Sequence, residues 1–479
     1  MLEPDQTRQF SVFERLRQGI LNGTLPAGAR LPPTRALASE LGVARQTVVL
    51  AYERLAAEGY VRARTGSGTY VSTDLPDAAP TAARPPRTAA NPLSARGLRL
   101  ASTPATAVTR DDGLGTLLAG GIPAPDLFPA QAWARCAARA LKQPGDALTR
   151  YPPPQGLPAL REQVAAHLAA TRGLVADPDH VIITSGTQQA LRSAAELLID
   201  PGDAVWVEDP GYIAGRGALL AADATLVPVP SDTEGLNVAA GIAAAPTARL
   251  VLVAPSHATP LGGALPIGRR LALLDWAERA GSWVLEDDCD SEFRWEGRPL
   301  PPLASLDRHG RVIYCGTFSK TLSPALRVGF VVVPAPLVEP FVRLRTLMDR
   351  GTTAFNQAIL ADFMHEGLLA PHIRRVRTEY ARRRIALLAA MDRHVTLAQP
   401  IAAPGGLHMV ARLREDANES SVVTACRGRG LAVSPLGAYF SGQPTMKGIV
   451  IGFACTPEAL AADSARRLEA ALRSSSPDI

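Results

Sequence analysis

Short uninterrupted apolar runs recur along the chain beyond about residue 113, with amphipathic stretches between them. The runs are Val181-Ile182-Ile183, Ala204-Val205-Trp206-Val207, Leu250-Val251-Leu252-Val253, Trp283-Val284-Leu285 and Val312-Ile313-Tyr314. Apolar runs this short, bounded by turn residues, read as strands buried on both faces. Helical spacing fills several of the intervals, as over residues 188–198 and 269–280. This alternation predicts an α/β body built on a mostly parallel sheet with helices on both faces. Such sheets bind ligands at the carboxyl ends of their strands. The chemically loaded residues fall there: Thr184-Ser185-Gly186-Thr187, Glu208-Asp209-Pro210, Asp287, and Thr317 to Lys320.

The first 73 residues have a different texture. Val12, Leu16 and Ile20 predict a helix over residues 11–22. Thr34 is placed as an N-cap for a helix over 35–41 that ends at Gly42, and a third helix over 44–58 ends at Gly59. Two helices joined by a tight Gly turn make a helix-turn-helix unit. Its second helix opens with polar Arg45-Gln46-Thr47 and turns Val48, Tyr52 and Leu55 inward, the layout that reaches base edges from a helix N-terminus. Tyr60-Val61 and Tyr70-Val71, around Thr65-Gly66-Ser67-Gly68, predict a hairpin. Residues 74–112, rich in Ala, Pro, Thr and Arg, predict a semi-extended tether without a core. The expected domains are therefore 1–73, the tether 74–112, and a body over 113–479.

Composition narrows the field only a little. Apolar residues make up 47% of 479, enough for a large core, and the formal charge is +5. Nine arginines against six acidic residues give residues 1–72 a charge of +3, compatible with DNA. The five cysteines are scattered and form no CxxC, so no metal site or disulfide framework is expected. The N-terminus is polar through Arg17 and no apolar run reaches membrane length, so a soluble, cytoplasmic protein without a membrane partner is expected.

The body carries a specific chemistry. Lys320 is placed just past a strand end, with Ser319 beside it and Arg327 following: an amine, a hydroxyl and a cation in one loop, suited to an aldehyde bearing a phosphate. Asp287 at another strand end can keep a pyridine nitrogen protonated. Ser185-Gly186-Thr187-Gln188 opens a helix whose N-terminal amides can bind the phosphate. Tyr212 can stack on a pyridine ring, or simply be a core aromatic.

Two resemblances follow from these residues. Leu31-Pro32-Pro33-Thr34-Arg35, Gly42 to Val48, Ala51-Tyr52-Glu53-Arg54-Leu55 and Gly66-Ser67-Gly68-Thr69 closely resemble a GntR-type winged helix. That likeness implies DNA contacts at Arg35, Arg45, Gln46, Thr47 and Gly68. Residues 113–475, through Tyr151-Pro152, Ser185 to Leu191, Glu208 to Tyr212, Glu286-Asp287-Asp288, Gly316 to Lys320 and Gly405 to His408, resemble fold-type I aminotransferases. The combination resembles MocR/GabR-type regulators. It implies a smaller C-terminal α+β subdomain and bound pyridoxal 5'-phosphate. Lys320 would be the Schiff-base lysine and Asp287 the partner of the ring nitrogen. Gly186, Thr187, Gln188, Ser319 and Arg327 would surround the phosphate. Tyr151 would reach the neighbouring subunit's cofactor in a head-to-tail homodimer. His408 and Arg216 are the expected effector contacts.

The chain departs from that pattern at three places. Cys289 stands where the family usually has Tyr, Thr259 replaces the aromatic of a His-Gln-aromatic-Pro stretch, and Val450 replaces an Arg that clamps a substrate carboxylate. The leading expectation is a DNA-binding regulator that senses a small molecule through the cofactor. The alternatives are a working aminotransferase with an accessory DNA head, or a regulator whose body has lost the cofactor.

Overall fold

The computed structural model describes residues 4–64, 67–75, 93–103, 117–142, 150–297, 300–401 and 403–475. It divides into two units, Met1–Pro92 and Leu93–Ile479.

In the first unit, α1 (Pro4–Leu21), α2 (Thr34–Leu41) and α3 (Arg45–Ala57) precede a hairpin of β1 (Val61–Arg64) and β2 (Gly68–Val71). Val12, Phe13, Leu16 and Ile20 of α1 share one core with Leu37, Val48, Ala51 and Leu55. Their three- and four-residue spacing is what gives each helix one apolar face. The hairpin is antiparallel, with Val61 opposite Val71. Thr34 does not cap α2. Pro33 takes the extended backbone of the cap position, with no side-chain cap, and Thr34 is already helical. The proline ring presets that φ, so the helix begins one residue earlier than the hydroxyl suggested.

The segment expected to be a featureless tether contains a helix, α4 (Ala95–Ser102). Residues 76–92 and 104–112 of that segment lie outside the described residues. Ser94 caps α4 by accepting from the Gly97 N–H at 3.0 Å. Arg96 donates to the Ala221 carbonyl at 3.0 Å and Arg99 to Asp223 at 2.7 Å. Averaged composition hid one good cap and two arginines at helical spacing.

The second unit holds β3 (Val181–Thr184), β4 (Ala204–Asp209), β5 (Thr225–Asp232), β6 (Gly235–Leu236), β7 (Leu250–Val253), β8 (Trp283–Asp288), β9 (Val312–Thr317) and β10 (Gly329–Val332). They form one sheet in the order β3-β10-β9-β8-β7-β4-β5-β6. Every neighbouring pair from β9 to β5 is parallel. β10 runs antiparallel between β3 and β9, and β6 is an antiparallel edge. All five apolar runs are strands of this sheet. Its two faces are covered by separate cores, one around Leu191, Val205, Leu252 and Phe341, the other around Trp206, Leu273 and Val284. Trp206 stacks on Trp276 with centroids 3.8 Å apart.

A second, four-stranded antiparallel sheet follows. It comprises β11 (Gln399–Ile401), β12 (His408–Arg412), β13 (Ser434–Pro435) and β14 (Gly448–Gly452), in the order β11-β12-β14-β13. The long helix Leu369–His394 and the helix Ala461–Ser474 pack on it through Val376, Leu387, Leu468 and Leu472. This is the smaller C-terminal α+β subdomain. No helix among the described residues is long and apolar enough to cross a membrane.

Candidate functional site

Four strand ends converge at the carboxyl edge of the parallel sheet. β8 carries Asp287, and β9 leads through Thr317 into the loop of Ser319 and Lys320. β3 turns through Ser185-Gly186 into the helix Thr187–Leu198, and β4 leads to Tyr212 and the helix Ile213–Leu220. With Gly120, Gly121, His408, Tyr439 and Val450 they line a cavity of about 270 Å³.

Of the chain's three lysines, Lys142, Lys320 and Lys447, only Lys320 is on this cavity. Its ammonium is half-buried and donates to the Gly121 carbonyl at 2.5 Å.

Three consecutive acids end β8, and pleating separates them. Glu286 accepts from the amides of Leu303 and Ala304, both at 2.9 Å. Asp288 accepts from Arg172 at 2.9 Å and from the Tyr314 hydroxyl at 2.5 Å. Asp287 alone faces the cavity, 6% exposed, and its Oδ1 is buried without a hydrogen-bond partner among the described residues. Burial pushes its carboxyl up to about 7, the charges of Asp290 and Asp288 add to the rise, and Lys320 opposes it. A buried acceptor left unpaired is costly, and a protonated ring nitrogen is a donor that would satisfy it.

Opposite, an anion cup is formed. Gly186 has φ +99° as it leads into the helix Thr187–Leu198. A Cβ there would lie 3.3 Å from the Arg327 guanidinium, in a conformation that side chains rarely adopt. Glycine thus lets the cation sit against the helix N-terminus, where the Gln189 and Ala190 amides bond the Gly186 carbonyl and those of Thr187 and Gln188 point out of the first turn. Arg327 is itself held in the left-handed region, at φ 51°, and is exposed. The Ser319 hydroxyl lies 3.0 Å from that of Thr317. Gln188 reaches the Ala214 carbonyl at 2.9 Å, tying the cup to the helix that follows Tyr212. The arrangement offers an amine, an anion cup and a buried carboxylate, which together fit an aldehyde bearing a phosphate and a pyridine nitrogen.

Tyr212 lies on the cavity wall, 37% exposed. Tyr151 is away from this wall, 78% exposed, with the Arg350 guanidinium 5.2 Å from its ring centre. His408 is on the wall, its Nε2 3.2 Å from the Pro260 carbonyl. Burial pushes its pKa down to about 3, with His257 adding to the drop, so the ring is neutral. Arg216 is not on the cavity. It donates to the Tyr439 carbonyl at 2.8 Å, to Ser441 Oγ at 2.7 Å and to the Ala438 carbonyl at 2.7 Å. Its guanidinium pins the loop that carries Tyr439, and is not free to clamp an effector. Sequence gave no sign of this loop, whose partner in the chain lies over 200 residues away. The pairing of His257 Nδ1 with Asp290 at 3.1 Å was equally invisible.

In the first unit, Arg35, Arg45 and Gln46 are exposed, and Arg45 lies 3.5 Å from Thr34 Oγ1. Thr47 is 7% exposed and packs with the inner face of α3, so it is not on the face that Arg45 and Gln46 present. Gly68 opens β2 at φ +116°, where a Cβ would lie 2.8 Å from Arg30 Nε.

Comparison with known proteins matches two separate stretches of the chain. Residues 9–71 match bacterial regulatory proteins of the gntR family, and residues 119–449 match aminotransferase class I and II. The chain is 40% identical over 94% of its length to the probable rhizopine catabolism regulatory protein MocR of Rhizobium meliloti, covering 91% of that protein. It is 34% identical to the pyridoxine biosynthesis transcriptional regulator PdxR of Corynebacterium glutamicum, over 92% of this chain and 90% of that one. Among solved structures, the α-aminoadipate aminotransferase LysN of Thermus thermophilus, complexed with N-(5'-phosphopyridoxyl)-L-leucine, is 30% identical with a TM-score of 0.70. The match covers 76% of this chain and 93% of that one.

Proposed function

The chain belongs to the MocR-type transcription regulators, a GntR-family head joined to an aminotransferase class I and II body, and from that premise we propose that it holds pyridoxal 5'-phosphate and senses a small molecule beside it. It is a regulator rather than a dedicated enzyme, because the DNA-binding head accompanies the body in the relatives that span nearly all of both chains.

The observation that carries the cofactor reading is the unpaired, buried Asp287 carboxylate facing Lys320 across the cavity. In this reading Lys320 would hold the aldehyde carbon and Asp287 would accept from the ring N–H. Gly186, Thr187, Gln188, Ser319 and Arg327 would hold the phosphate, and Tyr212 would lie against the ring. When bound, the cofactor supplies an electrophilic carbon and an electron sink. Arg35, Arg45 and Gln46 face operator DNA, with Gly68 in the wing. The exposed Tyr151 fits a role across the interface of a head-to-tail homodimer. The reading places the protein in the cytoplasm, where it meets its operator.

The test uses the full-length chain and its Lys320→Ala variant. The cofactor-loaded protein is expected to show an absorbance band in the near-visible range that the variant lacks. It is also expected to retain one class of DNA sequence from a random pool. A chain that selects DNA but shows no band would be a regulator with a cofactor-free body.

A further inference from the structure

The wall of the cavity next to Lys320 is rich in acceptors and poor in cations. Gly120 and Gly121 set the local geometry. A Cβ on Gly121 would lie 3.3 Å from Lys320 Nζ, and one on Gly120 would lie 3.2 Å from Val450 and 3.9 Å from His408. Val450 and His408 therefore flank the lysine across one Gly-Gly step. Val450 is 1% exposed and packs with Val410 and Leu436, so this part of the wall is apolar.

The polar groups beside it are acceptors. Pro260's carbonyl can only accept, so the His408 Nε2 next to it carries the proton, and the neutral ring leaves Nδ1 as an acceptor. Asp290 also lines the cavity. Burial pushes its carboxyl up, but His257 beside it outweighs this and holds it below the ordinary range, so it stays ionised. Among the described residues on this wall, the cations are Lys320 and Arg327. Both are assigned to the cofactor, and Arg216 is committed to the 438–441 loop.

A carboxylate brought here meets no guanidinium fork and faces the charge of Asp290. Burying an unpaired anion beside another is strongly unfavourable. A cationic amine meets the opposite situation. We propose that the effector is an amine without a carboxylate, whose remaining polar groups are hydrogen-bond donors such as hydroxyls, received by His408 and Asp290. This rests on the cofactor reading of the same cavity.

The test uses matched pairs that differ only in exchanging a carboxylate for a hydroxymethyl group: ethanolamine against glycine, and serinol against serine. The probe is the full-length, cofactor-loaded protein on its selected DNA, read by both the absorbance spectrum and DNA retention. The amino alcohols are expected to change both readouts at concentrations at least about tenfold below the matching acids, a difference of about 1.4 kcal/mol. In Val450→Arg the preference is expected to reverse, because a fork is restored. If that variant fails to fold, the wild-type pairs alone decide. Equal or better response to the acids, or no response to either member, overturns the proposal while leaving the cofactor and DNA readouts intact. Loss of the cofactor band or of DNA retention in the starting protein overturns the underlying reading instead.

Discussion

At the scale of single residues, the site rests on how three adjacent acids are treated. Glu286 accepts from two amides, and Asp288 accepts from an arginine and a tyrosine through its Oδ2, its Oδ1 being buried and unpaired; of the three, only Asp287 opens on the cavity. The matching amine is Lys320, and the expected chemistry identifies it directly. Borohydride reduction of the cofactor-loaded protein, followed by peptide mapping, should place a pyridoxyl group on Lys320. Label on Lys142 or Lys447 would contradict the assignment. Glu208 behaves differently. It is buried near Asp287 with Oε1 unpaired, and burial pushes its carboxyl up to about 8. A carboxyl raised in the folded state binds its proton there while the unfolded chain has already released it. Wild-type stability should therefore fall, relative to Glu208→Gln, as pH rises from the ordinary carboxylate range to about 8, and level off above that. Chemical unfolding of both proteins across that range measures the difference; a gap independent of pH would show that Glu208 is ionised throughout. The convergence of Lys320, Asp287 and Arg327 on one cavity was legible in sequence because each stands in a local motif beside a strand end. The commitment of Arg216 was not, because its acceptors arrive from residues 438–441, and nothing local marks a guanidinium as already taken.

At the scale of elements, α3 divides the polar residues that sequence grouped together. Arg45 and Gln46 are exposed at its first turn, whereas Thr47 is turned into the core shared with Val48 and Leu55. Successive helical residues stand about 100° apart, so Arg45 and Thr47 lie about 200° apart and all three cannot share one face. Arg45→Ala should therefore weaken operator binding by about 1–3 kcal/mol and relax selection at one base position. Thr47→Val, which keeps the buried volume, should leave base selection in place. Selection from a random DNA pool with each variant reads both outcomes; a Thr47→Val protein with altered base preference would return that residue to the interface. The five strands were legible because strands buried on both faces are continuous apolar runs. β5 was harder to see, since its Pro228 and Pro230 interrupt the apolar pattern. α4 was hidden for the converse reason, because a proline-rich background masked a short capped helix.

At the scale of the whole molecule, an aminotransferase body need not be an aminotransferase. Transamination requires a donor held so that its Cα–H bond stands perpendicular to the cofactor ring, and such positioning supplies several kcal/mol of rate. The usual device is a bidentate arginine on the donor's carboxylate. Here Val450 fills that part of the wall, and its neighbours in the core are Val410 and Leu436. Arg216, a candidate for compensation, is held by three acceptors on the Tyr439 loop. Freeing it would expose those acceptors and release the loop, so recruitment carries a cost that a preformed clamp does not. Cys289 adds a second deficit on the cavity wall, because a thiol is a weak donor where the family pattern has a phenol. The cofactor-loaded protein should therefore convert amino acids to keto acids slowly, with the bound cofactor passing only sluggishly to its pyridoxamine form. Mixing it with a panel of amino acids, then with keto acids, and following the spectrum tests this. Rapid conversion sustained over many cycles would show that another group positions the donor, and would make the head an accessory to an enzyme. Slow or single-turnover conversion would leave a body that retains the cofactor's grip on a ligand without the geometry for turnover. A sensor needs that combination, since a ligand that is consumed cannot hold the protein in its bound state.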